Sequence, residues 1–430
     1  MNYADSERFN AVLNQHGMEY TEIIKDADLV LINSCSVRQK AEDRIIGLGR
    51  KMVELKAEKP ELQIILTGCM AGRSWQGNTP EKYYQKLYKV MPWLNKIVET
   101  KNLPAYIYGL SEKNLFDFVP ITHNNTHGLI PISSGCDHFC TYCIVPFARG
   151  KERCRPFKEI QKDFEYLLKK GFKDITLLGQ TVNRWTNPDE SDVKSFLQLI
   201  KALDSVEGNY WLSFMSSHPN YMNNDIIDFL AESKHFRPYF HFALQSGSDK
   251  ILARMNRGYT YENFRDIALY YKSKLPDAIL STDIITGFSG ETDADFNKTA
   301  NAMRELKFDT AYISEYSPRE GTASARLKDD VPNKVKAERK TYLNDKILAI
   351  SALKNNTKLI GKSKTCLVEE ILKNHRILAR LDNNKEVLVS VIEQAKELVI
   401  KPNMFIKVKI TSCTPWALAG ELCGNPTEES

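Results

Sequence analysis

The chain has 430 residues, 42 % of them hydrophobic and 26 % charged, with a formal net charge of +5. A length of several ordinary domains and this apolar content exclude wholesale disorder. The 21 Gly and 17 Pro exclude collagen-like and low-complexity classes, and the small positive charge permits a nucleic-acid partner without demanding one.

No run approaches the roughly 18 consecutive apolar residues of a membrane span. Asp5, Glu7, Arg8, Glu19, Glu22 and Lys25 interrupt the first stretch, so no export signal is expected. The expected location is cytoplasmic, with no membrane partner. The nine cysteines are not expected to pair as disulfides in a reducing compartment, and those that cluster should ligate metal or react. Cys136, Cys140, Cys143 and Cys154 are clustered, Cys35 and Cys69 stand upstream, and Cys366, Cys413 and Cys423 lie near the end.

Residues 28–33 form an apolar run leading to Cys35. A helical pattern over residues 37–58 follows, with Ile45, Ile46, Leu48, Met52 and Leu55 at its apolar positions. Gln63–Gly68 is the next strand candidate and leads to Cys69. Alternation of strand and helix predicts a parallel sheet with helical crossovers. Such sheets place functional groups beyond the carboxyl ends of their strands, where Cys35 and Cys69 would meet if the two strands are neighbours. The competing reading is two small apolar residues, each closing a strand.

The polar stretch 120–127 reads as a linker. Strand candidates then fall at 128–134, 175–179, 211–216, 239–244, 278–286 and 310–316. Helical patterns lie between them at 160–170, 193–203, 225–232, 261–273 and 293–306. Six βα units predict a partial barrel, short of the eight of a closed one. Residues 334–354 predict a charged connecting helix on the surface, with Leu343, Ile347, Ile350 and Leu353 at helical spacing. From about residue 357 the pattern turns to short β runs, at 366–371, 377–381, 387–391 and 404–411, with a turn at Asn383-Asn384. These suggest a small barrel of the kind that binds single-stranded nucleic acid. The fold class is α/β, with domains over 1–120, 128–355 and 357–424.

Cys136-Asp-His-Phe-Cys140-Thr-Tyr-Cys143 has the spacing Cys-x3-Cys-x2-Cys directly after an apolar strand. Three such thiolates can hold three irons of a 4Fe-4S cube and leave the fourth open. An open iron can chelate the amino and carboxylate groups of S-adenosylmethionine, and one electron then releases a 5′-deoxyadenosyl radical. The competing reading is a zinc knuckle with His138 or Cys154 as fourth ligand, although zinc sites more often use widely separated Cys-x2-Cys pairs.

The run from Cys136 through Ile144-Val-Pro-Phe-Ala-Arg-Gly150, followed by Arg153-Cys-Arg-Pro156, resembles the radical S-adenosylmethionine methylthiotransferase family. The resemblance continues through Leu178-Gly-Gln-Thr-Val-Asn183, Ser217-His-Pro219, Leu244-Gln-Ser-Gly-Ser248, Met255-Asn-Arg-Gly-Tyr259, Thr282-Asp-Ile-Ile-Thr-Gly-Phe288 and Tyr316-Ser-Pro-Arg-Glu-Gly-Thr322. Asn33-Ser-Cys-Ser-Val-Arg-Gln-Lys-Ala-Glu42 resembles the MiaB type, which acts on tRNA adenosine already carrying an isopentenyl group. The resemblance implies methylthiolation of carbon 2 of N6-isopentenyladenosine at tRNA position 37. It also implies a TRAM domain at the C-terminus, a tRNA anticodon stem-loop as partner, an electron donor such as flavodoxin or ferredoxin, a sulfur source, and a monomer. Methylthiolation of threonylcarbamoyladenosine and a non-catalytic RNA-binding protein with a structural metal are the alternatives.

The same resemblance implies an auxiliary cluster on three N-terminal cysteines, of which Cys35 and Cys69 match two. Relatives read Cys-x-Met-Asn near their start, whereas this chain begins Met1-Asn2-Tyr3. The third thiolate and a leading strand are therefore expected to be missing as numbered. Cys136, Cys140 and Cys143 are expected to hold the radical cluster. Tyr142 would pack on the cofactor's adenine, Gln180 and Asn183 would meet its methionine moiety, and Gln245 and Ser246 its ribose; each has a plain structural reading beside this one. Asp283, within a strand pattern, needs a partner if buried. Cys154 reads as a bystander, and Cys366, Cys413 and Cys423 read as packing residues. Arg149, Lys151, Arg153 and Arg155 beside the cysteine loop, with Lys362, Lys364, Lys407 and Lys409 in the terminal barrel, are candidates for phosphate contact.

Overall fold

The computed structural model describes residues 1–36, 39–72, 80–109, 115–121, 126–373, 376–390 and 399–423. Positions 37, 38, 122–125 and 391 of the expected elements, and positions 73–79, 110–114, 374, 375, 391–398 and 424 of the expected domains, lie outside the described residues. The chain divides into two compact units. One comprises Met1–His123, Ser133–Arg153 and Ser317–Arg326; the other comprises Asn124–Ile132, Cys154–Tyr316 and Leu327–Ser430.

The first unit is built on a three-stranded parallel sheet in the order Leu29–Ser34, Gln63–Gly68, Lys96–Ile97. Alternation along the strands sends Ile32, Ile64 and Leu66 into one apolar layer, and Leu29, Leu31 and Ile65 into another. Asn2–Gln15, a helix missing from the sequence reading, covers the second layer with Phe9 and Val12. The single helix expected over 37–58 is two helices, Gln39–Gly47 and Gly49–Glu58. The break at Gly47 and Gly49 changes the helical phase. Met52 and Leu55 are buried, but Ile46 and Leu48 are exposed.

The second unit carries six parallel strands, each shorter than or offset from its expected span. Gly128–Pro131, Asp174–Leu178 and Trp211–Phe214 form one triplet, and Tyr239–His241, Ile279–Thr286 and Thr310–Glu315 form the other. Bridges at Leu212↔Phe236 and Ser217↔Phe242 join them. Helices Phe157–Lys169, Phe196–Asp204, Asn224–Glu232, Tyr261–Lys274 and Asp293–Leu306 pack outside in one continuous apolar core. This is the partial (β/α)6 barrel.

The connecting helix departs from its expected apolar stripe for a local reason. Leu343–Leu348 is a π-helical turn between Asn333–Tyr342 and Ala349–Thr357. A π turn delays the phase by about one residue. The buried positions therefore become Leu343, Ile347, Leu348, Ala352 and Asn356, while Ile350 and Leu353 are 62 % and 41 % exposed. The C-terminal strands close into a five-stranded barrel in the order Ser363–Ile371, Arg376–Leu381, Glu386–Ser390, Leu418–Leu422, Phe405–Cys413. Cys366 lies in its core, and Cys413 packs against that core. Among the described residues no helix is long and apolar enough to cross a membrane.

Candidate functional site

Two cysteine sites lie within the first unit. Each begins with a glycine in the left-handed region immediately before a cysteine. Gly68 has φ +85°, and a Cβ there would fall 2.5 Å from the Ser34 carbonyl oxygen. Gly135 has φ +79°, and its Cβ would fall 2.1 Å from the Lys151 carbonyl oxygen. No side chain fits either position, and the positive φ favours glycine.

In the loop from Gly135, the Cys136 amide donates to the Gly150 carbonyl at 3.1 Å and the Cys143 amide to the Cys140 carbonyl at 3.0 Å. The Thr141 carbonyl accepts from the Ser324 amide at 2.8 Å. Cys136 and Cys140 are buried and Cys143 is half-buried. Backbone amides point at two of the sulfurs: His138 N–H to Cys136 Sγ at 3.4 Å and Val145 N–H to Cys143 Sγ at 3.5 Å. Amide donation to thiolates is one way a protein stabilises and tunes an iron–sulfur cluster, so this donor set fits one. Among the described residues no three His, Cys, Asp or Glu side chains converge as a single ion requires. A cube instead binds its thiolates at separate corners. Tyr142, between two of the cysteines, is half-buried.

Cys35 and Cys69 stand one residue beyond strand ends that pair in register, Ser34 with Gly68. Cys69 is buried, and its Sγ accepts from Arg149 Nε at 3.3 Å. The Arg149 guanidinium also donates to Asp5 at 2.6 Å and to Asn2 at 2.8 Å. Burial pushes the Cys69 thiol above its ordinary pKa, with Arg149 opposing. Burial likewise works against the Arg149 charge, but Asp5 and Cys69 outweigh it and raise its pKa. Beside Cys35, the Ser36 hydroxyl donates to Glu42, which faces Arg319 at 3.5 Å, while Arg319 donates to Gln39 at 2.8 Å. The sequence reading missed Asp5, Glu42 and Arg319 as supports of this site.

The basic cluster expected at 149–155 divides. Arg149 is buried against Asp5 and Cys69. Arg155 is buried against Asp163 and the Pro131 carbonyl. Only Lys151 and Arg153 are exposed. In the terminal barrel, Lys407 and Lys409 pair with Thr365 and Ser363. All four point outward, because Ile406, Val408 and Ile410 fill the barrel core. Lys364 pairs with Val408 and so lies at the opposite parity, half-buried.

The remaining candidates belong to the second unit. Gln180 is half-buried just past the Asp174–Leu178 strand. Asn183 is buried, and its amide braces the backbone of His218 in both directions, at 3.0 and 2.9 Å. Gln245 holds φ +68°, an uncommon conformation for a residue with a side chain, and its backbone bridges Asp283 and Ile285. Ser246 is buried with its hydroxyl 3.2 Å from that of Thr299. Asp283 is only partly buried, and its partner is His241 at 3.4 Å. Burial lowers the His241 pKa, with Asp283 opposing. The alternation Tyr239-Phe-His241 was the available signal for this histidine, and the sequence reading did not use it.

Against known proteins, residues 130–303 match the radical SAM superfamily model. Residues 1–87 match a model described as uncharacterized protein family UPF0004. A tRNA-2-methylthio-N(6)-dimethylallyladenosine synthase of Clostridium botulinum (strain Langeland) is 35 % identical over 98 % of this chain and 94 % of its own. The chain belongs to the radical S-adenosylmethionine tRNA methylthiotransferase family. Synthases of the same name from Clostridium novyi and Thermoanaerobacter sp. (strain X514) are each 35 % identical over 98 % of this chain, with 94 % and 90 % of their own lengths covered. Among solved structures, the radical S-adenosylmethionine methyltransferase TsrM from Kitasatospora setae aligns with a TM-score of 0.49 and 12 % identity, over 71 % of this chain and 63 % of its own.

Proposed function

We propose that the chain transfers a methylthio group to carbon 2 of N6-isopentenyladenosine at position 37 of tRNA. The observation that carries this reading is the three-thiol loop, with Cys136 and Cys140 buried, in a chain 35 % identical, nearly end to end, to a synthase of that product. Cys136, Cys140 and Cys143 would hold the radical cluster, with the His138 and Val145 amides orienting two of the sulfurs. When bound, the cluster and S-adenosylmethionine supply an electron and a 5′-deoxyadenosyl radical. Tyr142, Gln180, Gln245 and Ser246 are the side chains assigned to the cofactor; Asn183 would act through the His218 backbone it braces.

Cys35 and Cys69, side by side at paired strand ends, would serve the auxiliary cluster. Arg149 fixes the Cys69 side chain there. Lys407 and Lys409, exposed on the outer face of the terminal barrel, would neutralise phosphates of an anticodon stem-loop, and the exposed Lys151 and Arg153 of the first unit are further candidates for phosphate contact. Position 37 lies in a single-stranded loop, where splaying a base out is least expensive. A one-electron donor and a sulfur source are external partners, the compartment is the cytoplasm, and the enzyme acts as a monomer. Mass spectrometry of nucleosides from tRNA treated with the reconstituted enzyme tests the assignment.

A further inference from the structure

In the second unit, the Thr414–Ala417 turn presents Trp416 to solvent at 59 % exposure. A large aromatic on a mobile loop would say little, but this turn is braced. The Thr414 amide donates to the Ala417 carbonyl at 2.8 Å, and the Thr414 hydroxyl accepts from the amides of Trp416 and Ala417 at 3.2 and 3.0 Å. From beneath, the amide of Asn356 donates to the carbonyls of Thr414 and Pro415 at 2.7 and 3.2 Å. The turn that carries the indole is therefore preorganised.

Trp416 lines a cavity of about 190 Å³ together with Tyr312, itself 45 % exposed, and the turn residues Asn383 and Asn384. Ligand sites for larger molecules run upward of roughly 300 Å³. This volume suits one planar ring system and not a whole nucleotide. The charged groups in the wall are paired with one another: Lys385 with Asp309 at 3.1 Å, and Arg380 with Glu386 at 3.3 Å. The interior thus offers π faces and side-chain amides but no net charge to hold a phosphate. Aromatic faces beside amide groups are how proteins receive unstacked bases.

We propose that this cavity is a stacking site for one unpaired nucleobase of the RNA substrate, with Trp416 as the platform and the phosphates remaining outside. The proposal rests on the tRNA reading above and adds a contact remote in sequence from the cysteine loops. Fluorescence anisotropy of a labelled anticodon stem-loop RNA, titrated with the full chain at several salt concentrations, tests it. Trp416→Ala should weaken binding roughly tenfold, within the range of losing one base stack. The slope of log affinity against log salt should not change, since no phosphate contact is lost. Trp416→Phe should restore most of the affinity. Wild-type affinity in Trp416→Ala, or a changed salt slope, overturns the site while leaving the tRNA reading intact. Self-association of the wild type that Trp416→Ala abolishes, with RNA affinity unchanged, also overturns it in favour of a second copy as occupant. Failure of the wild type to bind the RNA at all overturns both.

Discussion

Arg237 is the clearest place to test the packing of the second unit. Its guanidinium donates to Asp174 at 2.7 Å and to the carbonyls of Asp382 and Leu381 at 2.8 Å each, and it lies 5.0 Å from the Trp211 ring centroid. It thereby ties the turn after Arg376–Leu381, in the terminal barrel, to the Asp174–Leu178 strand of the partial barrel. The side chains of Arg237 and Asp174 are each only 2 % exposed. Arg237→Met would leave Asp174 buried with His127, at 3.0 Å, as its remaining partner. Removing one partner of a buried pair typically costs about 3–5 kcal/mol. The pKa of Asp174 gives an independent scale. Burial alone would raise it, yet Arg237 and His127 hold it at about 2 against an ordinary 3.8. A lowering of that size corresponds to about 2 kcal/mol, so the expected loss lies between about 2 and 5 kcal/mol. Because the folded pKa is depressed, this contribution is present above pH 3.8 and is lost as pH falls toward 2. Urea unfolding followed through intrinsic tryptophan fluorescence checks both points. The variant should unfold at lower urea, and its deficit relative to wild type should shrink as acid protonates Asp174. A loss under about 1 kcal/mol, or a deficit independent of pH, would refute the reasoning.

Cys140→Ala should leave the fold intact, because the loop is held by backbone bonds at Cys136 and Cys143, but it should abolish S-adenosylmethionine cleavage. Continued release of 5′-deoxyadenosine at the wild-type rate would remove these cysteines from the chemistry. Replacing both Lys407 and Lys409 by Ala should weaken tRNA binding and reduce the magnitude of the salt slope by up to about 2. Cleavage of S-adenosylmethionine without tRNA should be unaffected, and an unchanged slope would take the outer face of the terminal barrel out of the interface.

Much of this architecture was legible in the sequence where its signal is local. The runs ending at Cys35 and Cys69 read as parallel strands because their periodicity and apolar content are those of buried strands, and their register juxtaposes the two cysteines. The Cys136, Cys140 and Cys143 spacing is likewise local. What was not legible depends on partners distant in the chain. Arg149 looked like one member of a basic surface cluster because Asp5, which buries it, lies 144 positions away. The helix Asn2–Gln15 was missed because Asp5 and Arg8 occupy buried positions on it, which blurs its apolar face. The π turn at Leu343–Leu348 has no compositional mark, so the phase of the following helix was misread. The last barrel strand, Leu418–Leu422, carries Gly420 where the Lys409 carbonyl leaves 2.7 Å for a Cβ. Glycine lowers strand propensity in sequence, although here the close backbone approach requires it.

The most direct test of the assigned reaction is nucleoside mass spectrometry on tRNA bearing N6-isopentenyladenosine, incubated with the anaerobically reconstituted enzyme, S-adenosylmethionine, a reductant and sulfide. The account predicts conversion of that nucleoside to its 2-methylthio derivative with release of 5′-deoxyadenosine, both lost in Cys140→Ala. Methylthiolation of threonylcarbamoyladenosine instead, with N6-isopentenyladenosine left unchanged, would contradict it.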